Sequence, residues 1–480
     1  MQLLNRKVTN LSKTRPIKII QFGEGNFLRA FIEPAIQKLN QEVDFNGGIA
    51  VVQPIDKGMV SMLNDQDGLY TLFTKGIKDG KEVESKELNT NIVKGINPYT
   101  DFYQYLELAK EGQLQFIISN TTEAGIAYVE TDTPDMQPPS SFPAKLTVLL
   151  YKRYTHFKGA GDKGLTIIPC ELINYNSDTL RKIILDYIAQ WKLEDGFKDW
   201  LLIACTFHNT LVDRIVPGYP SDQIETYNAQ LEYKDNLIVS AETFFLWVIE
   251  GDERLKEKLP FHKTDLDVKI VKDMQPFRTR KVRILNGAHT AMVPFSILYG
   301  NKTVKESVDE VFTGPFIRTL VYDEIIPTLD MDRAELEAFA EAVFDRFRNP
   351  FIIHQLSSIA LNSISKFKVR VLPSLLEFVK RKNCLPMHMV FAFACLIRFY
   401  KGSYNEQALP VNDDAEIVND MASIWQLKNY AQISGAVLSK VEYWGEDLTQ
   451  ITGLKDEISK ALRSIDEKGI KEGFTTFKNK

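Results

Sequence analysis

Short apolar runs that each stop at a polar or glycine-rich turn fill the first half of this chain. They restrict its fold more than any other feature. "IKIIQFGEGNF" opens with an apolar run from Ile17 to Phe22 and passes straight into glycines, and "LRAFIEPAIQKLN" follows with helical spacing. "GIAVVQPI" (Gly48 to Ile55), "LQFIISNTT" (Leu114 to Thr122), "GLTIIPCEL" and "WLLIACTF" repeat the form. Apolar runs of this length read as buried strands, and strands alternating with helical segments predict a parallel, doubly wound sheet. In such sheets ligands sit beyond the carboxyl ends of the strands.

The proline- and serine-rich "TDTPDMQPPSSFPA" (Thr131 to Ala144) reads as a loop. After about Asp273 the strand signal fades, and "RAELEAFAEAVFDRF", "PSLLEFVKRK" and "HMVFAFACLIRFY" all carry helical spacing. A chain of 480 residues exceeds one simple core. The expected fold class is α/β, with a Rossmann-like domain over residues 1–273 and a mainly α-helical domain over 274–480.

A net charge of −5 supplies no basic field for nucleic acid. Cys170, Cys205, Cys384 and Cys395 form no C-x-x-C pair and read as reduced thiols. "MQLLNRKVTNLSKTRP" lacks the apolar core of a signal peptide, and "MVFAFACLI" (Met389 to Ile397) is too short to span a bilayer. These features lead us to expect a cytoplasmic protein acting on a small molecule. We expect no nucleic-acid or membrane partner, and a monomer or small homo-oligomer.

Gly23-Glu24-Gly25 follows a strand and precedes a helix, the context in which G-x-G carries meaning. The first glycine permits the tight turn, and the second lets backbone N–H groups approach a pyrophosphate. Leu28 stands where the usual third glycine would be, with Arg29 next to it as a charged partner for the diphosphate. The second strand ends in Gln53, with Asp56 a little later, so NAD and NADP both stay open. S-adenosylmethionine is another ligand for such a turn.

"KVRILNGAHTAM" (Lys281 to Met292) concentrates polar residues inside an apolar run. On an α-helix Lys281, Asn286 and His289 fall within a ~140° arc, with Gly287 leaving room for a cofactor or substrate. Lysine can act as a base when burial and nearby positive charge lower its pKa, and an amide can donate to a developing alkoxide. Spacing alone fits equally a solvated lysine, a turn-capping asparagine and a core histidine. No second His or Cys stands at metal-ligand spacing from His289.

K-x-x-x-x-N-x-x-H together with "GEGNFLRA" resembles the long-chain polyol dehydrogenases of the mannitol dehydrogenase family. The resemblance extends through "SNTTEAG", "LVDRIVP", "AETFFLWVIEG" and "RFRNPFIIHQLSSIALNSISKFKVRVLP". It implies metal-independent hydride transfer with NAD. Lys281 would be the general acid–base, with Asn286 and His289 positioning the substrate oxygen. A second oxyanion donor would come from Asn176, or from Asn174 if the turn aligns differently. It implies cofactor contacts from Phe22, Gly23, Gly25, Asn26, Phe27, Arg29, Gln53, Ser119, Thr121 and Glu123. Substrate contacts would come from Asp213 and Lys366, whereas Ser358 replaces a family arginine. Asp213 with Arg214 reads equally as a structural ion pair. "PCELI" and "TLVDRIVPGYP" resemble the branch that interconverts a keto-hexuronate with an aldonate. Lys366, Lys368 and Arg370 of "SKFKVR" are candidate counter-charges for its carboxylate; at helical spacing only Lys366 and Arg370 share a face. The basic stretch reads equally as a solvated surface. A mannitol- or fructuronate-type dehydrogenase, a non-catalytic nucleotide sensor and a methyltransferase remain alternatives at this stage.

Overall fold

The computed structural model describes every residue except Ser12, Lys13, Glu123 and Lys480. The chain forms two compact units, one of Met1–Lys75 and Glu82–Met274 and the other of Gly76–Lys81 and Gln275–Lys480.

The first unit is built on a six-stranded sheet of β1 (Ile17–Phe22), β2 (Gly48–Val52), β3 (Ile92–Ile96), β4 (Phe116–Ser119), β5 (Thr166–Pro169) and β6 (Thr206–Phe207). Its order is β3-β2-β1-β4-β5-β6, and every neighbouring pair is parallel. This is the doubly wound order of dinucleotide-binding folds, whose direction reverses between β1 and β4 and leaves a crevice beyond the strand ends. Side chains of one strand alternate between two cores. Ile19, Ile49, Val51, Phe116 and Ile118 pack on one face, and Ile20, Phe22, Ala50, Val52 and Ile117 on the other. Helix α1 (Ile32–Glu42) covers the first face. Helices α2 (Phe142–His156) and α3 (Asn176–Gln190) cover the second.

Two expectations change. "LRAFIEPAIQKLN" is a short helical turn at Asn26–Arg29 followed by α1, with the break at Ala30 and Phe31. "WLLIACTF" is not a strand: Trp200 to Ala204 close helix α4 (Asp195–Ala204), and only Thr206–Phe207 are extended. Burial there is one-sided, with Trp200 and Leu201 inside while Leu202 and Ile203 are 47% and 83% exposed. A short apolar run does not by itself separate a strand from a helix. The sequence reading also lacked two small sheets. One pairs Tyr70–Lys78 with Lys81–Asn89 and Val239–Ala241; the other joins Thr210–Asp213, Leu246–Glu250 and Val268–Val271.

The second unit is helical. One continuous run comprises Gln275–Arg280, a π-helical stretch Lys281–Asn286, and α5 (Gly287–Tyr299). Helices α6 (Arg333–Phe347), α7 (Ser363–Arg370), α8 (Met387–Phe399) and α9 (Leu454–Lys478) follow. From Met389 to Ile397 α8 is buried on every side, which explains its unbroken apolarity, and it packs against α5 and α9. Among the described residues no helix is long and apolar enough to cross a membrane.

Candidate active site

In the first unit the glycine turn has the conformation its sequence requires. Gly23 adopts φ 116°, and a Cβ there would lie 2.8 Å from the carbonyl oxygen of Asn120. Its N–H donates to the Val52 carbonyl across the strand ends (3.0 Å). At Gly25 a Cβ would meet nothing within 4 Å among the described residues beyond its chain neighbours. One glycine is therefore needed by the fold, whereas the other opens onto free space of the kind a diphosphate needs. The turn fits a dinucleotide.

Several expected cofactor side chains are engaged in the protein itself. Phe22 is a core residue against Phe142, with ring centroids 4.9 Å apart, so only its backbone reaches the turn. Phe27 stacks on Phe31 at 4.9 Å. Arg29 corrects the sequence reading. It is 1% exposed and points inward, donating to the Glu24 carbonyl (3.2 Å), the Leu237 carbonyl and Asn26 Oδ1 (2.7 Å). It braces the turn from beneath and does not face a diphosphate. Gln53 is likewise buried, and its amide holds the carbonyls of Ile55 (2.9 Å) and Asp56 (2.8 Å). Beside it lies a cavity of about 560 Å³ lined by Gln53, Asp56, Lys57, Asn97, Thr100 and Asp101, among others.

The loop after β4 is held by Glu171, a residue absent from the sequence reading. This buried carboxylate accepts from Ser119 Oγ (3.1 Å) and from Thr121 through both its N–H (3.0 Å) and Oγ1 (3.1 Å). Burial pushes Glu171 above the usual carboxylate range, while these hydrogen bonds act in the opposite direction. The signal was available, since "C-E" follows the strand as "SNTT" does. Glu123 lies outside the described residues.

Asn176 is the second correction. It is fully buried, and Nδ2 donates to Pro169 O (2.9 Å), Glu171 O (3.2 Å) and Thr210 Oγ1 (3.1 Å). Its Oδ1 accepts from the N–H groups of Ser177 and Thr210. An amide so fully satisfied has no donor left for a substrate oxyanion. Asn174, in contrast, is exposed. Asp213 ends its strand with 6% exposure. Its neighbour Arg214 donates to the carbonyls of Ala30 (2.7 Å) and Glu242 (3.0 Å) and to Thr74 Oγ1.

In the second unit one helical run carries Lys281, Asn286 and His289. The stretch Lys281–Asn286 closes with the Gly287 N–H donating to the Val282 carbonyl, five residues back. On an α-helix Lys281 and Asn286 would stand about 140° apart. The wider π turn stacks residues i and i+5 and so brings them towards one line. Gly287 serves packing and not a ligand: a Cβ there would come within 3.0 Å of the Arg370 carbonyl, at the end of α7. Lys281 and Asn286 are half-buried.

His289 stacks on Phe347 (4.3 Å) and meets His354 edge-on (6.2 Å). Its Nε2 is buried and makes no hydrogen bond among the described residues. Burial first, then the electrostatic influence of His354, Arg346, Arg370 and Lys366, push this imidazole down to about 3, so it is neutral. Lys366 and Arg370 do share a face of α7. Lys366 donates to the Ile359 carbonyl (3.0 Å) and is also near Asp413. Arg370 reaches Thr290 Oγ1 at 3.5 Å. Arg346 and His354 were missed, although the signal was present: no Asp or Glu occurs from Arg346 to Leu376. Ser358 is exposed. Among the described residues, no three His, Cys, Asp or Glu side chains are grouped to hold a metal ion.

The chain matches the family model of the mannitol dehydrogenase Rossmann domain over residues 17–263 and that of the mannitol dehydrogenase C-terminal domain over residues 273–466. It is 47% identical to an altronate oxidoreductase of Bacillus subtilis, covering 99% of this chain and 98% of the relative. An altronate oxidoreductase of Yersinia enterocolitica is 44% identical, covering 99% and 100%. A D-sorbitol dehydrogenase structure superposes with a TM-score of 0.81 at 19% identity over 98% of this chain and all of the other. The Pseudomonas fluorescens mannitol 2-dehydrogenase, solved with NAD and D-mannitol, gives 0.67 at 19% identity over the full length of both. These two share its fold, and the sequence matches place it more closely: the chain belongs to the mannitol dehydrogenase family and is a dehydrogenase of polyols or sugar acids.

Proposed function

We propose that this chain is an NAD-dependent, metal-independent oxidoreductase that interconverts the keto-hexuronate tagaturonate and the aldonate altronate. The observation that carries the reading is a neutral histidine whose buried Nε2 has no partner among the described residues, set among Arg346, Lys366 and Arg370. A cationic surround of this kind suits a sugar acid better than a neutral polyol, and the relatives at 44–47% identity are named for altronate.

For the cofactor, Gly23 and Gly25 would admit the diphosphate, with Ser119 and Thr121 flanking it on the loop held by Glu171. Asp56 and Asp101 line the cavity beyond β2. Carboxylates there favour ribose hydroxyls over a 2′-phosphate, and hence NAD over NADP. When bound, NADH supplies the hydride for the carbonyl carbon. Lys281, as ammonium, supplies the proton that completes the alcohol. The Asn286 amide donates to the same oxygen as its negative charge grows. His289 stays uncharged and fixes that oxygen through Nε2. Lys366 and Arg370 attract the carboxylate at the far end of the substrate. Asn174 is the remaining candidate for a second amide donor.

The test is a panel of tagaturonate, fructuronate and fructose, each with NADH and with NADPH, followed at the NADH absorbance band. Tagaturonate with NADH should give the highest kcat/KM. Turnover of fructuronate or fructose in preference to tagaturonate would overturn the assignment.

A further inference from the structure

The loop between α6 and the short helix Leu356–Ile359 carries His354, for which neither the sequence nor the proposed chemistry has a use. Its backbone is tied down, with the carbonyl accepting from the Val304 N–H (3.0 Å). The ring is half-buried and stands 6.2 Å from that of His289. Phe347 covers His289 at 4.3 Å. Of the two imidazoles, His289 is the one on the helical run with Lys281, so it addresses the reacting oxygen. His354 stands a short distance further off.

That distance is informative. In a keto-hexuronate with its carbonyl at the second carbon, the carbonyl and carboxylate carbons are four bonds apart, roughly 5 Å when extended. The two rings, with centroids 6.2 Å apart, are spaced on the same scale as the two functional groups. Lys366 and Arg370 add charge from α7, but Lys366 is already held by the Ile359 carbonyl and is near Asp413. A compact ring N–H on a fixed loop adds direction to that diffuse attraction.

We propose that His354 reads the substrate carboxylate and so sets the preference for a sugar acid over the neutral sugar of the same skeleton. The inference rests on the tagaturonate/altronate reading for the identity of the acid. Burial and the neighbouring Arg346 guanidinium hold this imidazole below its ordinary range, so it meets the carboxylate as a neutral N–H donor.

The test measures altronate binding by calorimetry to the NADH-saturated enzyme, a dead-end complex because altronate cannot accept hydride. His354→Phe, which keeps a ring against His289 but removes the N–H, should weaken altronate by about tenfold or more, as expected for one hydrogen bond to a charged group. kcat/KM for the ketose bearing CH2OH in place of the carboxylate should stay within about twofold. His354→Gln, which retains an N–H donor, should recover part of the altronate affinity. Unchanged altronate affinity in His354→Phe, or an equal loss on acid and ketose, would overturn the proposal. Turnover of tagaturonate by the unmodified enzyme is read separately. Its absence beside His354-dependent altronate binding would remove the reaction assignment and leave this inference standing.

Discussion

The loops at the β-strand ends of the first unit and the helical run from Lys281 to His289 in the second both gather polar residues, but they satisfy them in opposite ways. Around the glycine turn, Arg29, Gln53, Glu171 and Asn176 are buried and engaged with backbone or neighbouring side chains. They shape the loops, and what the loops offer a ligand is backbone and open space beside Gly25. On the helical run, His289 keeps a buried Nε2 without a hydrogen bond among the described residues and has cations about it. A buried polar atom costs about 1–3 kcal/mol unless a protein group, water or a ligand meets it. Set among cationic side chains, the unmet Nε2 of His289 is the atom that the proposed reading gives to a ligand.

The largest effect that would break this contrast lies at Lys281. Lys281→Ala should lower turnover by at least about a hundredfold while leaving thermal stability nearly unchanged, because a general acid–base contributes at that scale and the residue is only half-buried. Near-normal steady-state turnover in that variant would remove the second unit's run from the chemistry.

The next effect separates the two asparagines. Asn176→Ala strips partners from the N–H groups of Ser177 and Thr210 and from the Pro169 carbonyl. It should cost about 2 kcal/mol in denaturant-measured stability. Asn174→Ala, at an exposed position, should leave stability within about 0.5 kcal/mol and show its effect in kcat. The reverse pattern would return Asn176 to the oxyanion role.

The contrast also explains how much could be read from the sequence. The sheet was legible because both faces of β1, β2 and β4 are covered, which leaves the apolar runs unbroken. "WLLIACTF" was not, since Leu202 and Ile203 are apolar yet exposed, and composition does not report which side faces water. Lys281, Asn286 and His289 were legible as a motif, but not the π turn that aligns them, because hydrogen-bond register leaves no residue signature. Arg29 and Asn176 looked like ligand contacts because residue type reports the capacity to bond and not the partner. Arg346 and His354 were overlooked because they lie some distance along the chain from Lys366, and only the folded helices collect them around one imidazole.

A smaller effect reads the state of His289 itself. In the folded protein its imidazole titrates at about 3, against 6.5 as its ordinary value. Between these values the unfolded chain binds a proton that the folded one does not, so stability is full above the ordinary value and falls as pH drops towards the folded one. On going from about pH 7 to about pH 5.5 this histidine should remove about 1 kcal/mol of stability. His289→Asn should lack that share of the acid slope in thermal melts. An unchanged slope would mean that the ring is hydrated and charged, and its Nε2 is satisfied after all.

The smallest expected stability change tests the other half of the contrast. Gly25→Ala adds one methyl group where the described residues beyond its chain neighbours leave nothing within 4 Å, so stability should shift by about 0.5 kcal/mol or less. Gly23 does not give the same comparison, because its φ of 116° and the Asn120 carbonyl make any side chain there strained. The methyl group at position 25 would occupy the space assigned to the diphosphate, so the Kd for NADH should rise several-fold while melting stays put. A Gly25→Ala protein that binds NADH as tightly as the original would place the dinucleotide elsewhere on the strand ends. The open space beside this turn would then have to be explained without a cofactor.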